Sequence, residues 1–207
     1  MPDFPRHDDV NTTNPPDLPL SADRRERLLR LARLAVSSAV ADGVPEPPPR
    51  DDPELLRRRA AFVTLRSRGS GELRGCKGEA TARRALVDSV ISGAVGAATD
   101  DPRFRPASVD EVPGLRIEIS ALTEPRPILP DRIELGRHGL ILARGGRPLG
   151  LLLPQVPAQH GMDVAGFLEA LGRKARVPRA RWADDPSLVL LGFEAEVWAE
   201  PDPTPGG

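Results

Sequence analysis

Leu115-Arg116-Ile117-Glu118-Ile119-Ser120-Ala121 alternates apolar and polar residues, so Leu115, Ile117, Ile119 and Ala121 share one face of an extended chain. That is the pattern of a half-buried antiparallel strand. Upstream, Ala61-Phe62-Val63-Thr64-Leu65 is a short strand, Ser67 to Gly71 supplies turn residues, and Glu72-Leu73-Arg74-Gly75-Cys76 returns as its hairpin partner. From Thr81 the spacing becomes helical through Ala82, Leu86, Val90, Ile91, Ala94, Val95 and Ala98, until Asp100-Asp101-Pro102 stops it. Gly93, Ala94 and Gly96 permit close packing of that helix on the sheet. Downstream, Gly139 to Arg144, the turn Gly145-Gly146 and Pro148 to Leu153 form a second hairpin. Asp163 caps a helix carrying Phe167, Leu168, Leu171 and Ala175, and Leu188 to Trp198 alternates again as a closing strand. Nearer the start, Ser21 caps a helix to about Asp42, where Gly43 ends it. Strands dominate and helices are inserted without regular βαβ alternation. The expected fold is α+β, with a mixed, largely antiparallel sheet.

With 207 residues the expectation is a single domain over 20–200, preceded by a disordered arm over 1–19 and followed by a flexible tail over 201–207. Pro45-Glu46-Pro47-Pro48-Pro49 reads as an extended connector. The net charge of −1 creates no field toward nucleic acid or an anionic membrane, and tyrosine is absent, so base-stacking platforms are scarce. Neither a signal-peptide pattern nor a membrane-length apolar run is present in the sequence, and a cytoplasmic location is expected.

The single cysteine excludes an internal disulfide framework. It lies in Leu73-Arg74-Gly75-Cys76-Lys77-Gly78, between two glycines and two cations. Positive charge favours a thiolate, so Cys76 is a candidate nucleophile, while the plain alternative is a small apolar residue at a strand end. His138 and His160 are the candidate bases, each ahead of a regular element, whereas His7 belongs to the arm. Arg74, Gly75 and Gly78 are candidate ligand- or partner-binding positions in the loop. Asp101 and Arg103 are further candidates, as an anion clamp or, more simply, as a pair that anchors a loop with Phe104. Lys174 is the other lysine among 29 basic residues, and a cation near a helix end also fits the helix dipole. One cysteine and two histidines match no structural zinc spacing, so no metal is assigned, and no cofactor is named by these residues.

Eight segments in one order resemble the AMMECR domain family, whose bacterial members are called AmmeMemoRadiSam system protein A. They are Ala61-Phe62-Val63-Thr64-Leu65, Leu73-Arg74-Gly75-Cys76 (the LRGC motif), Asp101-Pro102-Arg103-Phe104, Ile117-Glu118-Ile119-Ser120, His138-Gly139-Leu140, Leu153-Pro154-Gln155-Val156, Phe167-Leu168 with Lys174-Ala175, and Phe193-Glu194-Ala195. Two positions depart from the family pattern. Lys77 stands where the family usually has Ile, and Arg176 stands where its Lys-Ala-Gly element has glycine. The resemblance implies a larger and a smaller subdomain, an activity not yet assigned, and work beside a Memo-like protein and a radical S-adenosylmethionine enzyme.

Two functions follow as expectations. In one, the Leu73–Gly78 loop binds a ligand or partner within that pathway. In the other, Cys76 attacks a small anionic or electrophilic substrate while His138 or His160 moves protons.

Overall fold

The computed structural model describes residues 19–44 and 47–201. The expectations for the arm to residue 18 with His7, for Pro45 and Glu46 of the connector, and for the tail from Asp202 lie outside the described residues. The chain divides into two compact units, each with its own apolar core. All the strand pairings given below are antiparallel.

The larger unit comprises residues 19–121 and 196–201. Helix α1 (Ala22–Val40) starts at Ser21, whose side chain accepts the Arg24 N–H, and it buries Leu28, Leu29, Ala32, Ala35 and Val36. A short helix α2 (Pro53–Leu56) begins with Pro53 after Asp52, whose carboxylate accepts the Glu54 N–H at 3.0 Å. Strand β1 (Ala61–Ser67) pairs on one side with β2 (Leu73–Gly78) and on the other with β3 (Leu115–Leu122). As its alternation requires, β3 buries Leu115, Ile117, Ile119 and Ala121.

Helix α3 (Leu86–Thr99) follows β2 and starts later than its apolar stripe suggests, because Ala82 falls outside it. The reason is backbone competition: the Arg84 carbonyl accepts from Arg59 N, and Leu86 N donates to Arg57 O at 2.9 Å. Residues 84–86 are therefore held extended against 57–59, and helix can begin only beyond them.

The smaller unit comprises residues 122–195 among those described. It holds β4 (Arg126–Pro127), β5 (His138–Arg144), β6 (Arg147–Leu152), α4 (Val156–His160), α5 (Val164–Ala175) and most of β7 (Leu188–Ala199). Strand β5 lies between β6 and β7, and β4 adds a short pairing to β7. Asp163 caps α5 as expected, its Oδ1 accepting the Gly166 N–H at 2.7 Å. Phe167, Leu168 and Leu171 of α5 pack with Leu140, Leu142 and Leu152 of the hairpin. The α+β class, the antiparallel character and the two subdomains match the expectation.

Candidate functional site

The loop containing Cys76 is the outer strand of the β1–β2 hairpin. Opposite Thr64 in register, Cys76 is half-buried, and the Thr64 hydroxyl donates toward its Sγ at 3.4 Å. The Cys76 N–H is taken by Asp101 Oδ2 at 2.8 Å. Asp101 is almost fully buried, at 5% exposure, and lies just past the end of α3. Its carboxylate also receives Arg103 Nε at 3.0 Å, Arg103 Nη2 at 2.7 Å and the Arg103 N–H at 3.1 Å. The Arg103 guanidinium, followed by these backbone donors, holds the Asp101 carboxyl well below the usual carboxylate range against the opposing effect of burial.

Arg74 is directed elsewhere. It forms a two-pronged pair with Glu111 at 3.1 and 3.2 Å and donates to the carbonyls of Arg105 and Pro106. Arg74, then the Ser108 N–H, pull the Glu111 carboxyl down to about 2. Phe104 carries Arg74 at 6.0 Å and Arg103 at 5.4 Å from its ring centroid, both within cation–π reach. The segment 101–111 is thus clipped along β2, at the backbone of Cys76 and at the side chain of Arg74.

Sequence reasoning paired Asp101 with Arg103 but missed two further partners: the Cys76 N–H for Asp101 and Glu111 for Arg74. Glu111 carried a signal as the third residue of a capping box with Ser108. The 37-residue separation from Arg74 carried none.

Gly75 is the closest approach in this unit. A Cβ there would stand 2.1 Å from the Ala97 carbonyl oxygen of α3, so only glycine lets that helix lie on β2. Gly78 is similarly crowded, by the Ala61 carbonyl and Phe62.

His138, His160 and Lys174 belong to the smaller unit. His160 ends α4 and Lys174 lies in the last turn of α5, both exposed. His138 is half-buried at the start of β5, and its Nδ1 accepts the Glu134 N–H at 3.0 Å. With Nδ1 occupied as an acceptor, the neutral ring carries its proton on Nε2. His138 lines a cleft of ≈ 360 Å³ together with Thr123, Arg126, Ile128, Gly192 and Glu194, among others. Apart from His138 and Glu194, none of these residues stood out in the sequence. Among the described residues no group of three or more His, Cys, Asp or Glu is arranged to hold a metal ion. No helix among them is long and apolar enough to cross a membrane.

The AMMECR1 family model matches residues 29–198. The chain belongs to the AMMECR1 family. It is 39% identical over 194 residues to a protein of Methanopyrus kandleri, covering 89% of this chain and 92% of that one. A Thermococcus gammatolerans protein is 41% identical over 188 residues, covering 86% and 91%. The crystal structure of an uncharacterized protein from Pyrococcus horikoshii superposes with a TM-score of 0.78 at 38% identity, covering 89% of this chain and 95% of the other.

Within this AMMECR1 fold Lys77 and Arg176 each have a defined physical setting. The stem of Lys77 runs over Gly96, where a Cβ would meet its Cγ at 2.7 Å. Its ammonium donates to the Asp100 carbonyl at 2.8 Å and carboxylate at 2.9 Å, beyond the end of α3. The methylenes thus occupy the place of an apolar residue while the charge meets the negative end of the helix. Arg176 ends α5 in the left-handed conformation, at φ 57°, a position that favours glycine. Its N–H donates to Arg173 O, and Val177 N–H donates to Gly172 O at 2.9 Å, the paired bonds of a Schellman end.

Proposed function

We propose that this AMMECR1 family protein is a binding component, and that the surface built on the Leu73–Gly78 loop receives a ligand or partner. The observation that supports this reading is the clip at Asp101. One buried carboxylate engages the Cys76 backbone and the Arg103 fork together, which presets the loop and lowers the ordering cost of binding. The Arg103 side chain remains 55% exposed, with Phe104 beside it, so this edge presents a cation and an aromatic ring to a partner. The partners implied by the family resemblance are the Memo-like protein and the radical S-adenosylmethionine enzyme, acting together in the cytoplasm. Lys174, exposed on α5 of the smaller unit, is a separate candidate contact.

Co-purification of the tagged full chain with each of those two proteins, at low and at moderate salt, tests the reading. Capture by the wild type and its loss in Arg103→Ala is the expected result. Failure to capture either protein at both salt concentrations overturns it.

A half-buried thiol with a hydroxyl donor and the Arg103 charge nearby favours a second reading, in which Cys76 attacks or tethers an electrophile. The geometry lends it less support. Arg74 and Arg103 already hold carboxylates, and the described residues of this unit include no histidine. Alkylation of Cys76 faster than a free thiol supports the enzymatic reading. Alkylation at the free-thiol rate, with Cys76→Ala leaving pathway output intact, removes it.

A further inference from the structure

The cleft of the smaller unit has a charge balance unlike that of the clip. Strand β7 is flanked by β4 and β5, with Arg126 in register with Gly192 and His138 in register with Glu194. Residues in register share a face, and Gly192 and Glu194 are two apart, so Arg126, Gly192, Glu194 and His138 all lie on one face. Two strand spacings separate β4 from β5, on the order of 10 Å, and Gly192 leaves the floor between them without a side chain. The Ile128 side chain fills that place: a Cβ on Gly192 would stand 2.9 Å from its Cδ1, 3.1 Å from its Cγ2 and 3.2 Å from its Cβ.

The two carboxylates of the cleft have partners of their own: Glu194 is paired with Arg137 at 3.0 Å, and Glu124 is likewise engaged. Arg126 is exposed and forms no ion pair among the described residues. His138 adds an Nε2–H donor, because its Nδ1 is held by the Glu134 N–H. The cleft therefore offers a guanidinium and a neutral N–H donor beside the apolar side chain of Ile128. That combination suits one small anion with an apolar body.

We propose that this cleft binds a small carboxylate-bearing molecule, its carboxylate between the Arg126 guanidinium and the Nε2–H of His138 and its apolar part against Ile128. The site is separate in sequence and chemistry from the Leu73–Gly78 loop, and it requires neither Cys76 nor Arg103.

The test uses the full chain with acetate, isovalerate and L-leucine as probes and isovaleramide as the neutral match for isovalerate. Binding is read by thermal shift and by the imidazole resonances of His138. At least one carboxylate is expected to raise Tm and move the His138 signals at concentrations up to about 10 mM, with isovaleramide inert. Arg126→Gln, a surface change that leaves the fold intact, is expected to weaken that binding at least about tenfold, the loss of one charge-assisted contact. Arg103→Ala is expected to leave it unchanged. The proposal is overturned if all three carboxylates are silent, if the amide binds as well as its acid, or if Arg126→Gln binds like the wild type. Because Arg103→Ala probes only partner capture, failure of the loop reading and failure of this one are distinguishable.

Discussion

The two units repeat one local plan with different tolerances. In each, a helix after a hairpin packs on the outer strand at a glycine: α3 directly after β1–β2 at Gly75, and α5, beyond the short α4, after β5–β6 at Gly150. At Gly75 an added Cβ would meet backbone oxygen at 2.1 Å, in the middle of the last turns of α3. At Gly150 it would meet the Ala175 backbone at 2.8 to 3.1 Å, where α5 is already ending. Beyond the first helix lies a buried, fully engaged carboxylate, Asp101. Beyond the second lies a left-handed arginine, Arg176. Of these two helix contacts, the one on the Leu73–Gly78 strand is the tighter, and the one at Gly150 falls where its helix ends.

The comparison breaks most sharply at the glycines. Gly75→Ala must lift α3 from β2 and is expected to cost about 3 kcal/mol or more, whereas Gly150→Ala displaces only a helix end and is expected to cost about 1–2 kcal/mol. Urea unfolding of both variants, followed by a probe in each unit, measures the difference; equal losses would remove the asymmetry.

Next in size is the carboxylate past α3. Asp101→Ala leaves the Cys76 N–H without its acceptor and frees Arg103, and with Arg103 half exposed the expected cost is about 2–3 kcal/mol. Acid should reproduce part of this. Asp101 and Glu111 both bind protons less readily in the folded chain, Glu111 titrating at about 2. Their contribution is complete above the ordinary carboxylate range and is lost as pH falls through that range toward 2. Unfolding midpoints from pH 7 downward, in wild type and Glu111→Gln, should show a shallower acid loss in the variant.

Much of this fold is legible in the residues because burial imposes periodicity. The alternation of Leu115 to Ala121 is β3, and Phe167, Leu168 and Leu171 do form the inner face of α5. Elements too short to repeat a period, α2, β4 and α4, give no such signal. The apolar stripe from Ala82 misleads because backbone bonds to residues 57–59 decide where α3 begins, and side-chain spacing does not report them. The same holds at the site. Asp101 and Arg103 are two apart and readable as a pair, but the Cys76 N–H is a main-chain donor 25 residues away. Glu200, which joins Arg33, Arg68 and the Ile117 N–H, is equally invisible until the chain end meets β3.

At the second helix the comparison predicts a gain. Arg176 pays the steric penalty of a side chain in the left-handed region, and both bonds of the Schellman end are made by backbone groups that glycine retains. Arg176→Gly is expected to raise stability by about 0.5–1 kcal/mol, while glycine's greater freedom in the unfolded chain offsets part of the relief. A rise in the urea midpoint confined to this variant, with Gly75 untouched, would show that strain is stored in the tolerant unit.

The smallest expected change belongs to Lys77→Ile, and this position separates packing from charge within the strict unit. Its ion pair with Asp100 is surface-exposed, with side-chain exposures of 40% and 79%, so its contribution is a few tenths of a kcal/mol and is screened by salt. Its stem, by contrast, covers Gly96 and packs as an apolar residue would. Lys77→Ile keeps the cover and removes the charge, so the expected change is within about 0.5 kcal/mol and vanishes at high salt. Lys77→Ala uncovers Gly96 and is expected to cost more than the isoleucine variant, by about 1 kcal/mol, at every salt concentration. If the two variants instead lose the same stability and salt abolishes both losses, the ammonium rather than the stem is what α3 requires at that position. The lysine would then be an electrostatic cap on α3, and its packing over Gly96 would be incidental.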